Sequence, residues 1–185
     1  MDPSVQPIFD HFESIPWCKK HLDRPDQHFA LCHSRRSKRS TQYLFDKTFN
    51  TPDTLPHFLV FYDHPQPKET VPEVRALITL GKDVAGHKGV CHGGMVMSLL
   101  DEVAGELAGV NQTNGAIQYK MLVTAYLNTK FNKPLMVPST VFAKSWVVKT
   151  EGRKFYVEVV IEDENGVALA SADSLFVAVK EKYKI

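Results

Sequence analysis

The residues with the clearest chemical potential lie where a glycine-rich loop meets an apolar helical pattern. His92, Gly93 and Gly94 directly precede that pattern, and glycine lets a ligand approach the backbone closely. The first turn of a helix has free N–H groups and a positive dipole end. These groups could hold a carbonyl oxygen that becomes negative during a reaction. The alternative, which the glycines alone favour, is a tight turn without a chemical role.

Asp101 is the second candidate, because it interrupts an otherwise apolar helical pattern. Aspartate is a poor residue for the middle of a helix, and a buried carboxylate is costly without partners. Ala104, Gly105 and Ala108 follow it at helical spacing, and these small residues leave room for a ligand beside the carboxylate. The alternative is an aspartate on the solvent side of the helix.

Three further polar residues have weaker signals. Glu102 and Glu106 lie one helical turn apart, and this pair is expected to form a solvated face. Thr124 lies in the first strand pattern after the helix. Threonine is a good strand former, so on its own Thr124 favours a structural interpretation.

Metal binding is not expected. Two groups of cysteines and histidines stand close together in the sequence: Cys18 and His21 with Cys32 and His33, and His87, Cys91 and His92. Neither group has the spacing of a standard zinc site. The chain also has no nucleophile elbow, no phosphate-binding loop and no dinucleotide fingerprint.

The elements that must position these residues follow a regular order. Strand patterns precede and follow one apolar helical pattern: 57–62 and 74–80, then the helix at 95–108, then strands at 121–131, 140–148, 154–162 and 167–179. Asn165-Gly166 marks a hairpin, and short turns make the last strands antiparallel. An apolar helix must be covered by a large sheet. The open edges of such a sheet predict pairing between subunits.

The N-terminal part differs from the rest. The first 70 residues contain 8 of the 11 prolines. A short amphipathic helix is predicted within 5–22. The basic run at 33–39 is expected to be a solvated loop, with phosphorylation or an anionic partner as the alternative. We therefore divide the chain into an N-terminal extension, 1–56, that is loop-rich and partly helical, and a domain at 57–185.

Composition bounds the class of protein. The chain has 185 residues, 43% hydrophobic and 23% charged residues, and a net charge of +1. Near-neutral charge argues against a nucleic-acid binder, and no apolar run approaches the roughly 20 residues of a membrane-spanning helix. Three irregularly spaced cysteines favour a reducing compartment. We expect a cytoplasmic protein, with the mitochondrion and the peroxisome as alternatives.

The motifs resemble those of a known family. The segment 89–94, followed by the helix and Asp101, resembles the hotdog-fold acyl-CoA thioesterases, which include 4-hydroxybenzoyl-CoA thioesterase, PaaI-type and thioesterase superfamily member proteins. The segment 124–134, the Gly152-Arg153-Lys154 turn and the last strand follow in the family's order. The resemblance covers roughly residues 57–179 and is fairly specific to the fold. It implies an α+β hotdog fold, in which a curved antiparallel sheet wraps around one long central helix.

The resemblance also implies roles for the candidate residues. The N–H group of Gly94, together with that of Gly93, would polarise a thioester carbonyl. Asp101 would be the general base for water or the nucleophile. His92 would orient the thioester or help its sulfur leave, and Thr124 would position the water or the carboxylate. The family's sites form between two subunits, so a dimer or a dimer of dimers is expected.

The predicted reaction is hydrolysis of an acyl-CoA to the free acid and CoA. No cofactor is expected beyond the CoA of the substrate. Arg153, Lys154 and Lys133 are candidates for binding the CoA phosphates, with ordinary surface residues as the alternative. Three other functions stay open: hydrolysis of an intermediate bound to an acyl carrier protein, such as a polyketide; binding of acyl-CoA without catalysis; and a hotdog lyase or dehydratase.

Overall fold

The computed structural model describes residues 1–36, 43–119 and 121–179. Within these residues the structure has three α-helices and nine strands, besides short 3-10 and π-helical turns. In chain order they are α1 (Gln6–Glu13), α2 (Pro16–Leu22), β1 (Gln27–Leu31), β2 (His57–Asp63), β3 (Glu73–Leu80), β4 (Ala85–His87), β5 (Val90–Cys91), α3 (Gly93–Thr113), β6 (Leu122–Phe131), β7 (Ser139–Glu151), β8 (Lys154–Glu162) and β9 (Ala168–Ala178).

Seven strands form one antiparallel sheet in the order β1-β2-β3-β7-β8-β9-β6. The helix α3 and the strand β6 lie between β3 and β7 in the sequence, yet β3 and β7 are neighbours in the sheet. The helix contacts β3, β6, β7, β8 and β9, so the sheet wraps around it. This arrangement confirms the predicted α+β hotdog fold with a central helix.

The central helix is held by apolar burial and by one buried amide. Leu99, Leu100 and Leu107 are fully buried against the sheet. Near the end of the helix, Asn111 accepts a hydrogen bond from the Val71 N–H at 2.8 Å and donates one to the Val71 carbonyl at 3.0 Å. A fully buried amide needs such partners, so Asn111 fixes the helix to the strand connection. None of the described helices has the length and apolarity needed to cross a membrane.

The N-terminal segment covers the opposite face of the sheet. The predicted amphipathic helix at 5–22 is two helices, because Pro16 lacks an N–H and starts α2. Phe12 and Cys18 are buried in a second apolar cluster against Leu59, Phe61 and other residues of the sheet. The strand β1 then pairs with β2, which extends the sheet by one strand. The division of the chain at residue 57 stays a prediction.

The basic run is not the solvated loop that the sequence predicted, at least in its first half. Arg35 donates hydrogen bonds to the carbonyls of Phe45 and Leu55, each at 2.9 Å, and Arg36 donates one to the carbonyl of Leu31 at 2.6 Å. Leu31 is the last residue of β1 and Phe45 lies in a short π-helix, Leu44–Thr48. A guanidinium offers several donors for such carbonyls. The expectation is wrong for residues 34–36, whereas the His33 side chain is exposed, and residues 37–39 lie outside the described residues.

All three cysteines are free and buried. Burial raises the pKa of Cys18 to about 12 and that of Cys91 to about 11. The pKa of Cys32 is raised well above its usual value, first by burial and then by the nearby carboxylates of Glu106 and Glu102. The three thiols are therefore protonated at neutral pH.

Candidate functional site

The start of α3 is fixed by a hairpin on one side and a loop on the other. The strands β4 and β5 pair just before the helix. The Cys91 N–H donates to the Leu135 carbonyl, and the His92 N–H donates to the Val84 carbonyl, both at 2.8 Å. His92 is the N-cap residue, and its Nδ1 accepts a hydrogen bond from the Gly94 N–H at 3.0 Å. The loop therefore presents the first helical turn in a defined orientation.

The two glycine N–H groups differ in availability. The Gly94 N–H is the partner of the His92 ring. The Gly93 N–H belongs to the first helical residue, and no acceptor among the described residues bonds to it. Gly93 is also exposed, with the Phe131 ring nearby. The N–H that can reach a ligand without rearrangement is that of Gly93, whereas the Gly94 N–H becomes available when the His92 ring turns away.

Asp101 lies two turns further along the helix and faces β6. Its Oδ1 accepts a hydrogen bond from the Thr124 hydroxyl at 2.9 Å, and its side chain is partly exposed. The register between β6 and β9 shifts between Thr124 and Tyr126; such a bulge re-aims neighbouring side chains. The structure therefore brings together two of the predicted site residues, Asp101 and Thr124.

Asp101 and the glycine N–H groups are too far apart to act on one carbonyl within a single chain. At 1.5 Å per residue, the eight residues from Gly93 to Asp101 span about 12 Å along the helix axis. A base and an oxyanion donor must both lie about 3 Å from the reacting group. The described chain thus contains two parts of a site, one at each of these positions, and each part needs a complement.

The strand β6 provides an edge where that complement can bind. It is the last strand of the sheet, and its outer edge has no strand partner within the described parts of the chain. Val123, Tyr126 and Phe131 on this strand are exposed, with Phe131 at 56%. A ten-residue edge strand with exposed apolar side chains is a site for pairing with another chain.

The glutamates next to Asp101 are not on the solvated face that the sequence predicted. Glu106 is only 2% exposed and accepts hydrogen bonds from the His33 N–H and, at 3.1 Å, from the Arg36 guanidinium. Glu102 accepts one from the Ser34 hydroxyl at 2.6 Å and one from the Cys32 thiol at 3.0 Å. The expectation is wrong because the N-terminal segment 32–36 covers this face of the helix.

The electrostatics of this junction follow from its burial. Burial raises the pKa of Glu106 to about 7, against the opposing effect of the Arg36 cation. Burial also raises the pKa of Glu102. Atoms of Cys32, Glu102 and Glu106 lie within 4.8 Å of one another, but Arg36 and Ser34 already occupy carboxylate oxygens. The arrangement is a hydrogen-bonded junction between the N-terminal segment and the helix.

Two cavities flank the Asp101–Thr124 pair along the line between α3 and β6. One, of about 320 Å³, lies at the start of the helix and is lined by Gly93, Val96, Phe131, Lys133 and neighbours. The other, of about 270 Å³, lies towards the end of the helix and is lined by Gly105, Ala108, Leu122, Phe176 and neighbours. A molecule held at Asp101 could therefore extend in either direction.

The three basic candidates lie at opposite ends of the sheet. Lys133 lines the cavity beside Gly93. Arg153 and Lys154 lie at the other end, near the start of β6, because β9 pairs there with both strands. Arg153 also donates a hydrogen bond to the Ala178 carbonyl at 3.0 Å, which occupies part of its guanidinium. One chain does not bring these three cations together.

Sequence reasoning missed the role of Glu102, Glu106 and the segment 32–36. The signal was present as two acidic residues at i and i+4 on a helix whose other residues are mostly apolar. Arg35 and Arg36 are the basic counterparts, about 70 residues earlier. Nothing in the sequence alone indicates which distant segment would supply the compensating charge.

Comparisons with known proteins agree with the fold. The model of the Thioesterase superfamily matches residues 88–170, which include His92, Asp101 and Thr124. Verlamelin biosynthesis protein B of Lecanicillium sp is 29% identical over 210 residues, covering 95% of this chain and 90% of that protein. The acyl-coenzyme A thioesterase THEM4 of Rattus norvegicus is 31% identical over 98 residues, covering 52% of this chain and 39% of that protein.

A solved structure has a similar fold. The Hypothetical Thioesterase Protein with coenzyme A from Streptococcus pneumoniae TIGR4 superposes with a TM-score of 0.56 at 14% identity. The match covers 76% of this chain and 99% of that one. The shared feature is the hotdog architecture described above.

Proposed function

We infer that this chain, which has the hotdog fold, belongs to the thioesterase superfamily and hydrolyses acyl thioesters, with acyl-CoA as the substrate. The observation that carries this proposal is the Asp101 carboxylate, bonded to the Thr124 hydroxyl and facing the open edge of β6. A partly exposed carboxylate with one positioning partner suits proton transfer or nucleophilic attack. The THEM4 relative is named as an acyl-coenzyme A thioesterase.

The reaction needs a base and an oxyanion donor. Asp101, oriented by Thr124, takes a proton from water as the water oxygen adds to the thioester carbon, or attacks that carbon itself. The Gly93 N–H and the positive end of α3 stabilise the oxygen that becomes negative. The C–S bond then breaks, the carbonyl re-forms and the departing sulfur takes up a proton. Single turnover in ¹⁸O-labelled water tests direct attack, because label enters Asp101 only when an anhydride forms and water hydrolyses it at the Asp101 carbon.

The site is completed by a second copy of the chain. Antiparallel pairing of two β6 strands places the Phe131 end of one strand beside the Leu122 end of the other. The glycines at the start of α3 lie near Phe131, so pairing carries them towards the carboxylate of the second copy. It also brings Lys133 of one copy towards the end of the sheet that has Arg153 and Lys154 in the other. CoA phosphates bind there.

Two matched valine variants test the dimer. Val123 is 43% exposed on β6, and Val148 is 50% exposed on β7. Val123→Arg adds a charge to the pairing edge, so we expect a monomer by sedimentation and loss of hydrolysis. Val148→Arg adds the same charge on β7, away from the pairing edge, and should leave the dimer and the rate of hydrolysis unchanged. A Val123→Arg protein that is monomeric and fully active would contradict a shared site.

The central test of function is thiol release from a panel of acyl-CoAs with short, medium, long and aromatic acyl groups. We expect rapid release of CoA from at least one class. Binding of acyl-CoA without release would instead indicate a binding module. Consumption of substrate without release of thiol would indicate a lyase or dehydratase.

A thioester on an acyl carrier protein is the second candidate substrate. Verlamelin biosynthesis protein B, which is named for a biosynthetic role, aligns with this chain along 90% of its length. To separate the two proposals, kcat/KM is measured for the same acyl group on CoA and on a carrier protein. The carrier with the higher kcat/KM is the preferred substrate. Intramolecular partners hold the guanidinium groups of Arg35 and Arg36, which argues against a role of these two residues in binding an acidic carrier.

A further inference from the structure

The cavity towards the end of α3, here named the Gly105 groove, has no role in the mechanism above. Gly105, Ala108 and Gly109 form its helical side, and Leu122 and Phe176 form its sheet side. A thioester attacked at Asp101 needs a site for its acyl group. The groove begins at Glu102 and Gly105, the residue next to Asp101 and the residue one turn after it, and runs along the helix.

Gly105 itself indicates that the space serves a ligand. A glycine inside a helix is less favourable than alanine by about 1 kcal/mol, so the position needs a reason. A Cβ added there would meet nothing closer than the Phe176 ring, at 4.0 Å. Packing within the chain therefore does not require glycine at this position. The missing side chain leaves open the part of the groove closest to Asp101.

The N-terminal segment forms the wall of the groove beside Gly109, towards its far end. His33 lines it, and a Cβ at Gly109 would lie 3.8 Å from the His33 ring. Gly109 is about 12 Å from Asp101 along the helix axis, which is the length of a medium-chain acyl group. His33 is held in place by its backbone, because its N–H donates to Glu106. The end wall is thus part of the junction between residues 32–36 and the helix.

One wall of the groove is polar. His33, Glu102 and Gln112 all line it. Both hydrogen bonds to Glu102 from the segment 32–36 go to Oε1, and within the described chain no donor reaches Oε2. Burial lowers the pKa of His33, so its ring is neutral at pH 7 and offers one donor and one acceptor. Gln112 already donates a hydrogen bond to the Tyr119 carbonyl at 2.7 Å. A hydroxyl group on the acyl chain can bond to the His33 ring or to Oε2 of Glu102, whereas a bare hydrocarbon chain cannot.

We propose that the Gly105 groove binds the acyl group of the substrate, and that His33 sets both its length limit and a preference for hydroxylated acyl groups. This inference rests on the proposed thioesterase function. The thiol-bearing part of the substrate then lies on the other side of Asp101, at the cavity beside Gly93. The N-terminal segment is in this view a specificity element of the site.

Length selection is tested with two variants and a saturated acyl-CoA series from acetyl to palmitoyl. Gly105→Leu fills the groove near Asp101, so we expect kcat/KM for decanoyl-CoA to fall at least tenfold while acetyl-CoA is hydrolysed as before. His33→Ala opens the far end, which shifts the preferred chain to a greater length. His64→Ala, an exposed histidine outside the groove, leaves the profile unchanged. Identical profiles in all proteins would overturn the proposal and place the acyl group beside Gly93.

The preference for hydroxyl groups is tested with His33→Phe, which keeps a ring and the backbone N–H but removes both ring nitrogens. The readout is the ratio of kcat/KM for hydroxydecanoyl-CoA regioisomers to that for decanoyl-CoA. We expect the wild type to favour at least one regioisomer about five- to tenfold, the effect of one hydrogen bond. His33→Phe should abolish that preference. A wild-type ratio of one for every regioisomer would overturn this part of the proposal.

A binding measurement distinguishes failure of the proposed thioesterase function from failure of the proposed acyl site. If no thioester is hydrolysed, decanoic acid and its hydroxylated forms are titrated directly by calorimetry into the wild type and Gly105→Leu. Binding to the wild type that the leucine abolishes supports the groove as an acyl site in a protein that is not a hydrolase. Equal binding by both proteins, or binding by neither, overturns the proposal that the groove binds an acyl group.

Discussion

Two acidic positions on the central helix, Asp101 and Glu106, have opposite surroundings. Asp101 is partly exposed, has the Thr124 hydroxyl as its partner and faces an unpaired strand edge. Glu106 is buried and bonded to both the His33 N–H and the Arg36 guanidinium. The two residues are little more than one helical turn apart.

The contrast shows that the hydrogen-bond donors around a carboxylate determine whether it can react with a substrate or only stabilises the fold. A carboxylate whose oxygens are all occupied by donors of its own chain joins segments together, and removing it costs stability. A carboxylate with a free oxygen at an open edge can take a proton or attack a substrate. Asp101 should therefore control activity with little effect on stability, and the Glu106–Arg36 pair should do the reverse.

The largest effect is expected for Asp101→Asn. The amide keeps the shape but cannot take a proton, so kcat/KM for thiol release should fall about a thousandfold, with an unchanged Tm. Asp173→Asn is the matched control, since Asp173 bonds Asn128 on β6 at 2.8 Å and touches none of the proposed site. Equal rates for wild type and Asp101→Asn would remove Asp101 from the mechanism.

Arg36→Met should lower the free energy of unfolding by about 3 kcal/mol, because it leaves the buried Glu106 carboxylate without its cation. Urea denaturation measures this. The double variant with Glu106→Gln removes the uncompensated charge and keeps an acceptor for the His33 N–H, so it should recover at least half of the loss. A double variant as unstable as Arg36→Met would show that Arg36 acts through packing or through its bond to Leu31.

The pH dependence of stability should report on Glu106. Its pKa is raised to about 7 in the folded chain, mainly by burial, from an ordinary value of 4.5. Between these values the folded state keeps a proton that the unfolded state releases. Its contribution to stability is therefore lost as pH rises from about 4.5 to 7, by an amount on the order of 3 kcal/mol. Urea midpoints at pH 5 and 8 should differ less in Glu106→Gln than in the wild type; an equal difference would assign the dependence to other groups.

The smallest effect is expected for Thr124→Val. It removes the hydroxyl that donates to Asp101 and should reduce kcat about tenfold, the value of one hydrogen bond to a charged group. Thr129→Val is the control on the same strand, because the buried Thr129 hydroxyl has no hydrogen-bond partner in the described structure. That substitution should leave the rate unchanged. Equal rates for the Thr124 and Thr129 variants would mean that Thr124 does not position the carboxylate.

Local patterns were sufficient to predict the fold from residue 57 onwards. Alternation and turn residues placed β8 at 154–162, and helical periodicity located the core of α3. The position of Thr124 beside Asp101 could not be read from periodicity, because the contact depends on how β6 crosses the helix. It entered through resemblance to a family, and the hydrogen bond between the two residues is a finding of the structure.

The junction around Glu106 could not be predicted for a physical reason. Whether an i, i+4 glutamate pair is solvated or buried depends on which distant segment covers it. The covering segment, 32–36, contains only a three-residue 3-10 helix, His33–Arg35, which is too short for a periodic signal, and its positive charges suggested exposure. Only the three-dimensional arrangement shows that the His33 N–H bonds the Glu106 carboxylate and that the Arg36 cation neutralises it.

The state of the three cysteines has a practical consequence for every assay above. Thiol-detecting disulfide reagents react with the thiolate form, and the native chain offers three buried thiols, each with a raised pKa. Colour developed during turnover therefore comes from released CoA. Unfolding exposes the cysteines, and the same reagent then reads up to three equivalents per chain. A single titrant thus counts product while the enzyme is native and counts molecules when it is denatured.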